Sequence, residues 1–344
     1  MIRFNNDYSE GAHPDVLRKL AETNLEQTEG YGTDPYCHKA TGLIRDIIEN
    51  QDTDVHFLVG GTQANLTVIS SCLRPHQGAI SADTGHINTH ESGAIEATGH
   101  KVLSIQSPDG KITAAQVQEI YDAHYNDAAR EHTIQPKLVY ISNPTELGTI
   151  YKKSELTELS KICRQNGLIL YLDGARLGYA LCAAGNDLDL PDIAALCDLF
   201  YIGGTKNGAL FGEALVITNE RLKPDFRYIL KQKGGMLAKG RLLGLQFIAL
   251  FEDDLYFKMA RHANEMAGII KDACIKKGYR FLTESVTNQQ FPIMPDRVLK
   301  KLKERYEYSY WQKAGHAKSA VRFCTSWATD CTDAKKLAVD IINS

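Results

Sequence analysis

Between about residue 50 and residue 220, short apolar runs alternate with helical stretches, and this constrains the fold more than any other feature of the chain. Val55–Gly60, Gly78–Asp83, Lys101–Gln106, Lys137–Ser142, Leu168–Asp173, Leu199–Gly203 and Ala214–Thr218 read as strands. Several of them (LVYIS, LILYL, LFYI) are apolar on both faces, as a strand must be when helices cover both sides of its sheet. Thr62–Leu73, His90–Thr98, Ile112–Arg130 and Ser154–Asn166 read as helices, the last with Ser154 as N-cap. The alternation predicts an α/β fold with a mostly parallel sheet. After about residue 240 the pattern changes. Leu242–Lys277 reads as a long helical region broken at Glu252-Asp253-Asp254. Short strands follow at Arg280–Thr283, Gln290–Ile293 and Val321–Thr325, then a final helix from about Asp333. The expected organisation is an N-terminal arm (1–15), a large domain (16–240) and a small C-terminal α+β domain (241–344).

In an open parallel sheet, ligands sit beyond the carboxyl ends of the strands. Four of those ends carry polar or glycine-rich sequence. Gly60-Gly61-Thr62-Gln63 lies between a strand and a helix, where backbone N–H groups and the helix N-terminus favour an anion such as a phosphate monoester. It matches neither a Walker loop nor a dinucleotide fingerprint, and read alone it is equally a plain glycine turn. Asp173, in LILYLDGARL, is a carboxylate directly after an apolar strand. It needs a cationic partner, such as a protonated pyridine nitrogen, unless it is a surface helix cap. Arg176, three residues on, can reach another cofactor or substrate oxygen. Lys206, in LFYIGGTKNGAL, follows a strand and two glycines, a setting for a desolvated, reactive amine or for a solvated loop lysine. His86, with His90 and Glu91 in DTGHINTHESGA, offers a ring to stack on a planar cofactor. His86 and His90 also have metal-ligand spacing, but no third ligand accompanies them, and no metal is expected. Together these ends describe one cofactor, pyridoxal 5'-phosphate (PLP): phosphate at Gly61 and Thr62, ring face on His86, pyridine nitrogen at Asp173, aldehyde at Lys206.

The resemblance extends through most of the chain. NDYSEGAHP, GYGTDPY, GGTQAN, GHINTHESGA, LDGARL, GGTKNG, KGGMLAKG and VRFCTSWATDCTD resemble, in order, segments of the low-specificity threonine aldolases and their β-eliminating lyase relatives. The resemblance implies a fold-type I, aspartate aminotransferase-like large domain and a small C-terminal domain. It implies Lys206 as the Schiff-base lysine, Asp173 on the pyridine nitrogen, Gly61 and Thr62 on the phosphate and His86 over the ring. Arg176 is implied near the phenolic oxygen and the substrate carboxylate, and Arg322 as the carboxylate clamp. Asn6 stands where the family has a serine, and can still donate to a carboxylate. The family's ENTHNG-like loop reads SNPTELG here, so Thr145 or Glu146 replaces its histidine. Leu237 replaces the arginine of the GGGMR segment. These departures imply a divergent subgroup with a shifted side-chain pocket.

The activity implied is retro-aldol cleavage of a β-hydroxy-α-amino acid to glycine and an aldehyde. The base at the β-hydroxyl is left open among Glu146, His86, His90 and a water. β-Elimination with Lys206 as α-proton base, transamination, and a non-catalytic phosphate or metal binder are the alternatives. By the same resemblance, Tyr31 and the Lys233–Arg241 region are donors to a second subunit's site, so a homodimer or homotetramer is expected. Composition narrows the partners. A net charge of −3 recommends neither nucleic acid nor an anionic membrane. No apolar run is long enough to span a bilayer, and the polar start lacks a signal-peptide core, so a cytoplasmic enzyme is expected. The eight cysteines contain no CxxC pair and read as reduced core residues.

Overall fold

Burial on both faces organises the centre of the molecule. In the computed structural model, which describes residues 1–344, seven strands form one sheet. They are β1 (Asp54–Leu58), β2 (Gln77–Ala82), β3 (Lys101–Ile105), β4 (Gln135–Ser142), β5 (Ile169–Asp173), β6 (Leu199–Gly203) and β7 (Glu213–Ile217). Their spatial order is β1-β7-β6-β5-β4-β2-β3. β7 runs antiparallel to β1 and β6, and every other pairing is parallel. The sheet is mostly parallel, as the alternation predicted. β2, β5, β6 and β7 are buried at every position.

The two-residue period of the strands sorts their side chains into two cores. Ile80, Val139, Leu172, Phe200 and Val216 enter one, and Tyr140, Tyr171, Tyr201 and Leu215 enter the other. Three tyrosines therefore stand side by side on one face, with ring centroids 5.8 and 6.4 Å apart. The helix Gly61–Cys72 covers that face through Ala64, Val68 and Ile69.

Several element boundaries differ from expectation, each for a local reason. The helix expected near 90–98 is two short ones, His86–Thr89 and Ala94–Ala97, because Gly93 between them takes φ +73. The helix expected over 112–130 is confined to Ala114–Tyr125, starting at a Thr113–Gln116 capping box. Ser154 is not an N-cap. Its helix spans Lys153–Asn166 and is capped at Lys152, whose N–H donates to Glu155 at 2.8 Å. The remote Asp187 accepts the Lys153 N–H at 2.9 Å, so a tertiary contact replaces the local serine cap.

The chain then runs through the helix Arg241–Phe251, a turn at Glu252–Asp254 with Asp253 and Asp254 at φ 55 and 61, and the helix Leu255–Lys276. A smaller antiparallel sheet follows, centred on Lys318–Cys324. The strand expected over 290–293 is two, Gln289–Gln290 and Pro292–Pro295, and Ser309–Lys313 adds a further one. The N-terminus belongs to this end of the molecule. Ile2–Arg3 pairs with Tyr306–Glu307, and Phe4 is fully buried with Tyr306, Val321 and Phe323. All eight cysteines are free. No helix is long and apolar enough to cross a membrane.

Candidate active site

A cleft opens at the carboxyl edge of the sheet, lined by Gly60, Gly61, Thr62, His86, Glu146, Asp173, Arg176, Lys206 and Glu213, among others. Its floor is the start of the helix Gly61–Cys72. No side chain caps that helix, so its first N–H groups lack an intrahelical acceptor and favour an anion. Glycine is required here, since a Cβ at Gly61 would lie 2.9 Å from the Tyr201 hydroxyl. A phosphate monoester fits this cradle.

Asp173 ends β5 among donors. Tyr140 and Asn65 donate to its Oδ2 at 2.6 and 3.0 Å, and Tyr201 and the Ala175 N–H donate to Oδ1 at 2.5 and 2.9 Å. Burial acts to raise its pKa, but the His86 ring and the two tyrosines outweigh it and hold the carboxyl below the ordinary range. It is thus kept ionised where a pyridinium needs a counter-charge. Asn65 also donates to Glu91 at 2.7 Å, and Glu91 Oε1 lies 2.8 Å from His86 Nδ1. The Glu91 side chain is fully buried, and its other oxygen has no partner. Glu91 thereby fixes the orientation of the His86 ring.

Lys206 lies in the loop between β6 and β7. Burial, reinforced by the Arg176 charge, depresses its pKa, which increases the neutral amine available for attack on a carbonyl. Arg176 is engaged side-on by Asp7, through Nε at 2.6 Å and Nη2 at 2.9 Å, leaving Nη1 outside the pair. Asn288 donates to the same Asp7 at 2.9 Å. Although burial opposes it, Arg176 and Lys206 hold the Asp7 carboxyl down to about 2.

A second, outer cleft shares Tyr8, His86, Glu146, Arg176 and Lys206 with the first and adds His90, Tyr310, Trp311 and Arg322. Arg322 is held by Gln289 at 3.1 Å and by the Asn5 carbonyl at 2.9 Å, and its guanidinium lies 5.8 Å from the Trp311 ring centre. Its Nε is buried without an acceptor, while Nη1 keeps a second N–H beyond the Gln289 contact. Glu146 stands between the two clefts. Its Oε1 accepts from Ser142 at 2.7 Å and from the His86 N–H at 3.0 Å. Burial, aided by Asp173 and opposed by the Ser142 hydrogen bond, raises its pKa.

Lys206, Asp173, His86, Glu146, Gly61, Thr62, Arg176 and Arg322 therefore surround one connected space. Asn6 does not join them. Its carboxamide oxygen accepts from the Tyr8 N–H and the Ser9 hydroxyl, both at 3.0 Å, closing a turn that presents Asp7 and Tyr8 instead. Tyr31 also lies apart from its own chain's Lys206. It lines a separate surface with Arg227, Tyr228, Lys231 and Met236. Asp7, Asn65, Glu213 and the tyrosine row escaped sequence reasoning, and Glu91 was singled out there beside His86 but given no role. The signal was present for Asp7, a carboxylate inside NDYSEG, and for Asn65, inside GGTQAN.

A mostly parallel sheet with a buried lysine, a paired carboxylate and an anion cradle at its carboxyl edge defines an enzyme of the aspartate aminotransferase-like fold. The chain belongs to the Beta-eliminating lyase family, whose model matches residues 8–296, and is a PLP-dependent lyase of the threonine aldolase group. It is 30% identical over 346 residues to the low specificity L-threonine aldolase of Pseudomonas aeruginosa, covering 98% of this chain and 96% of that one. It superposes on a Leishmania major threonine aldolase with a TM-score of 0.97 at 45% identity, covering 100% of this chain and 99% of the other. Thermus thermophilus aspartate aminotransferase shares the fold, with a TM-score of 0.71 at 13% identity over 100% of this chain and 91% of its own.

Proposed function

We propose that this chain binds PLP through Lys206 and cleaves a small β-hydroxy-α-amino acid of the threonine or allo-threonine kind into glycine and an aldehyde. The observation that carries this reading is the convergence, in one cleft, of a buried lysine, a buried ionised carboxylate and an uncapped helix N-terminus. When bound, the cofactor supplies an electron sink for the bond-breaking step. Gly61 and Thr62 hold its phosphate, Asp173 its ring nitrogen, and His86, braced by Glu91, its ring face. The guanidinium of Arg322 and Nη1 of Arg176 bind the substrate carboxylate, a task suited to the planar, multiply donating guanidinium. Glu146 is the base at the β-hydroxyl. Its Oε1 is occupied by Ser142 and His86, so Oε2 receives the proton. Its raised pKa suits proton transfer nearer neutral pH than an ordinary carboxylate allows.

The enzyme acts as a homo-oligomer, dimer or tetramer, in the cytoplasm. Tyr31, 46% exposed on its own chain, and the Lys233–Arg241 segment serve the partner's cleft. The deciding test is a product assay on PLP-loaded protein with L-threonine, L-allo-threonine and β-phenylserine. Glycine with the matching aldehyde is expected. Pyruvate and ammonia from serine or cysteine derivatives, without glycine from any of the three, would assign β-elimination instead. Lys206→Ala is expected to lose the borohydride-reducible PLP adduct while keeping its fold.

A further inference from the structure

A strand sends alternate side chains to opposite faces, so three consecutive residues of a regular strand cannot all meet one cleft. Ser309, Tyr310 and Trp311 nevertheless all line the outer cleft. The register of the small sheet shows why. Along the strand Ser309–Lys313, Ser309 pairs with Arg322 and Tyr310 with Val321, but the next pair is Gln312 with Ala320. Trp311 has no partner on Lys318–Cys324 and is the extra residue of a β-bulge. The bulge breaks the alternation and brings Tyr310 and Trp311 to the same cleft.

Two contacts fix the Trp311 ring there. Phe291, fully buried, meets it edge-on, with ring centres 5.0 Å apart and 75° between the planes. The Arg322 guanidinium lies 5.8 Å from its centre, within cation–π range. The ring remains only half-buried, and Tyr310 beside it is 62% exposed. Aromatic side chains left open in a concave site are the usual lining of a ligand pocket. The space in front of them is large. The outer cleft has a volume of about 500 Å³, against about 240 Å³ for the inner one. In the proposed function the inner cleft takes the cofactor, and Glu146, between the two clefts, meets the β-hydroxyl. The remaining substituent on that carbon then extends into the outer cleft. A methyl group leaves most of that space to water, whereas a planar ring covers the aromatic wall.

We propose that Trp311 is a specificity-determining residue: its ring is the surface on which a planar substituent at the substrate's Cβ packs, and it sets the preference for an aryl over a methyl substituent. This rests on the assignment of aldol cleavage to the cleft and adds a recognition element to it. Two rings packed offset or edge-on gain more than burial of the same area alone, and a methyl group has no such gain. The bulge thus acts on selectivity through one side chain, while the carboxylate site at Arg322 serves every substrate alike.

The test compares two substrates on PLP-loaded protein. Trp311→Ala is expected to lower kcat/KM for β-phenylserine by about 10-fold, while changing that for L-threonine by less than about 3-fold. Trp311→Phe keeps an aromatic ring and is expected to recover most of the loss. A merely structural role, in packing Phe291 or supporting Arg322, would lower both substrates together, because both carry the same carboxylate and amine. A second readout leaves Trp311 in place. The chain has two tryptophans, so in Trp327→Phe protein the tryptophan emission is that of Trp311. L-Phenylalanine and L-alanine lack the β-hydroxyl that cleavage needs. Saturating L-phenylalanine is expected to change that emission more than saturating L-alanine does. Equal losses on both substrates, no loss on either, or the same emission change from both amino acids would overturn this inference alone. No glycine from either substrate in wild type would overturn the aldolase reading, and this inference with it.

Discussion

At the scale of single residues, the site depends on groups that the fold buries and then compensates. Asp7 and Arg176 are the clearest pair, with side-chain exposures of 0% and 12%. Removing one partner leaves the other charge buried and unpaired, so Asp7→Asn is expected to cost about 3–5 kcal/mol in urea unfolding. The sign of the pH dependence follows from Asp7 itself. Its folded pKa is lowered from the ordinary 3.8 to about 2, so its stabilisation is complete above the ordinary value and lost as pH falls through about 2. Glu146 gives a kinetic prediction. Glu146→Gln is expected to lower kcat for aldol cleavage by about 10²–10⁴-fold while PLP still binds, as read by steady-state kinetics and cofactor titration. In its proposed role Glu146 acts ionised, and since burial raises its pKa the wild-type rate is expected to rise with pH through a value above the ordinary carboxylate range. A pH–rate profile is expected to lose that limb in the glutamine variant.

Elements matter where they bring main-chain groups to the cleft. The helix Gly61–Cys72 starts without a side-chain cap, and the Tyr201 hydroxyl crowds its first residue. Gly61→Ala is therefore expected to push Tyr201 from Asp173 and to crowd the cradle. Hydrogen bonds to charged groups contribute about 1.5–3 kcal/mol, so PLP affinity should fall by roughly 10–100-fold in equilibrium titration. The tyrosine row shows how a strand's period becomes chemistry. Tyr140, Tyr171 and Tyr201 occupy one face of three adjacent strands, and their hydroxyls reach Asp173, Asn65 and Asp173 respectively. The sheet thereby aims three phenols at one polar cluster.

Across the whole molecule, the two ends of the chain meet beside the outer cleft. Phe4 fills the C-terminal core, and Asn5 next to it supplies a carbonyl to Arg322. Phe4→Ala is expected to destabilise the protein by about 3–5 kcal/mol and to raise KM more than it lowers kcat, since Arg322 loses its support. Differential scanning calorimetry and substrate titration test the two halves. Much of this architecture was legible in the chain. The doubly apolar runs specified a mostly parallel sheet, because only a two-sided cover of helices buries such strands. Glycines, Asp173 and Lys206 at the strand ends pointed to the cofactor chemistry, because the carboxyl edge of a parallel sheet is where ligands are met. Asp7 with Arg176 and Asn65 with Asp173 could not be read the same way, being 169 and 108 residues apart. The same holds for Glu213, whose burial depends on β1 and β6 flanking it. Local sequence determined which segments are strands, which are helices and which ends carry chemistry, because backbone period and turn geometry act over a few residues. Tertiary structure alone decided which charges and polar groups share a partner, because burial and Coulomb coupling depend on distance in space.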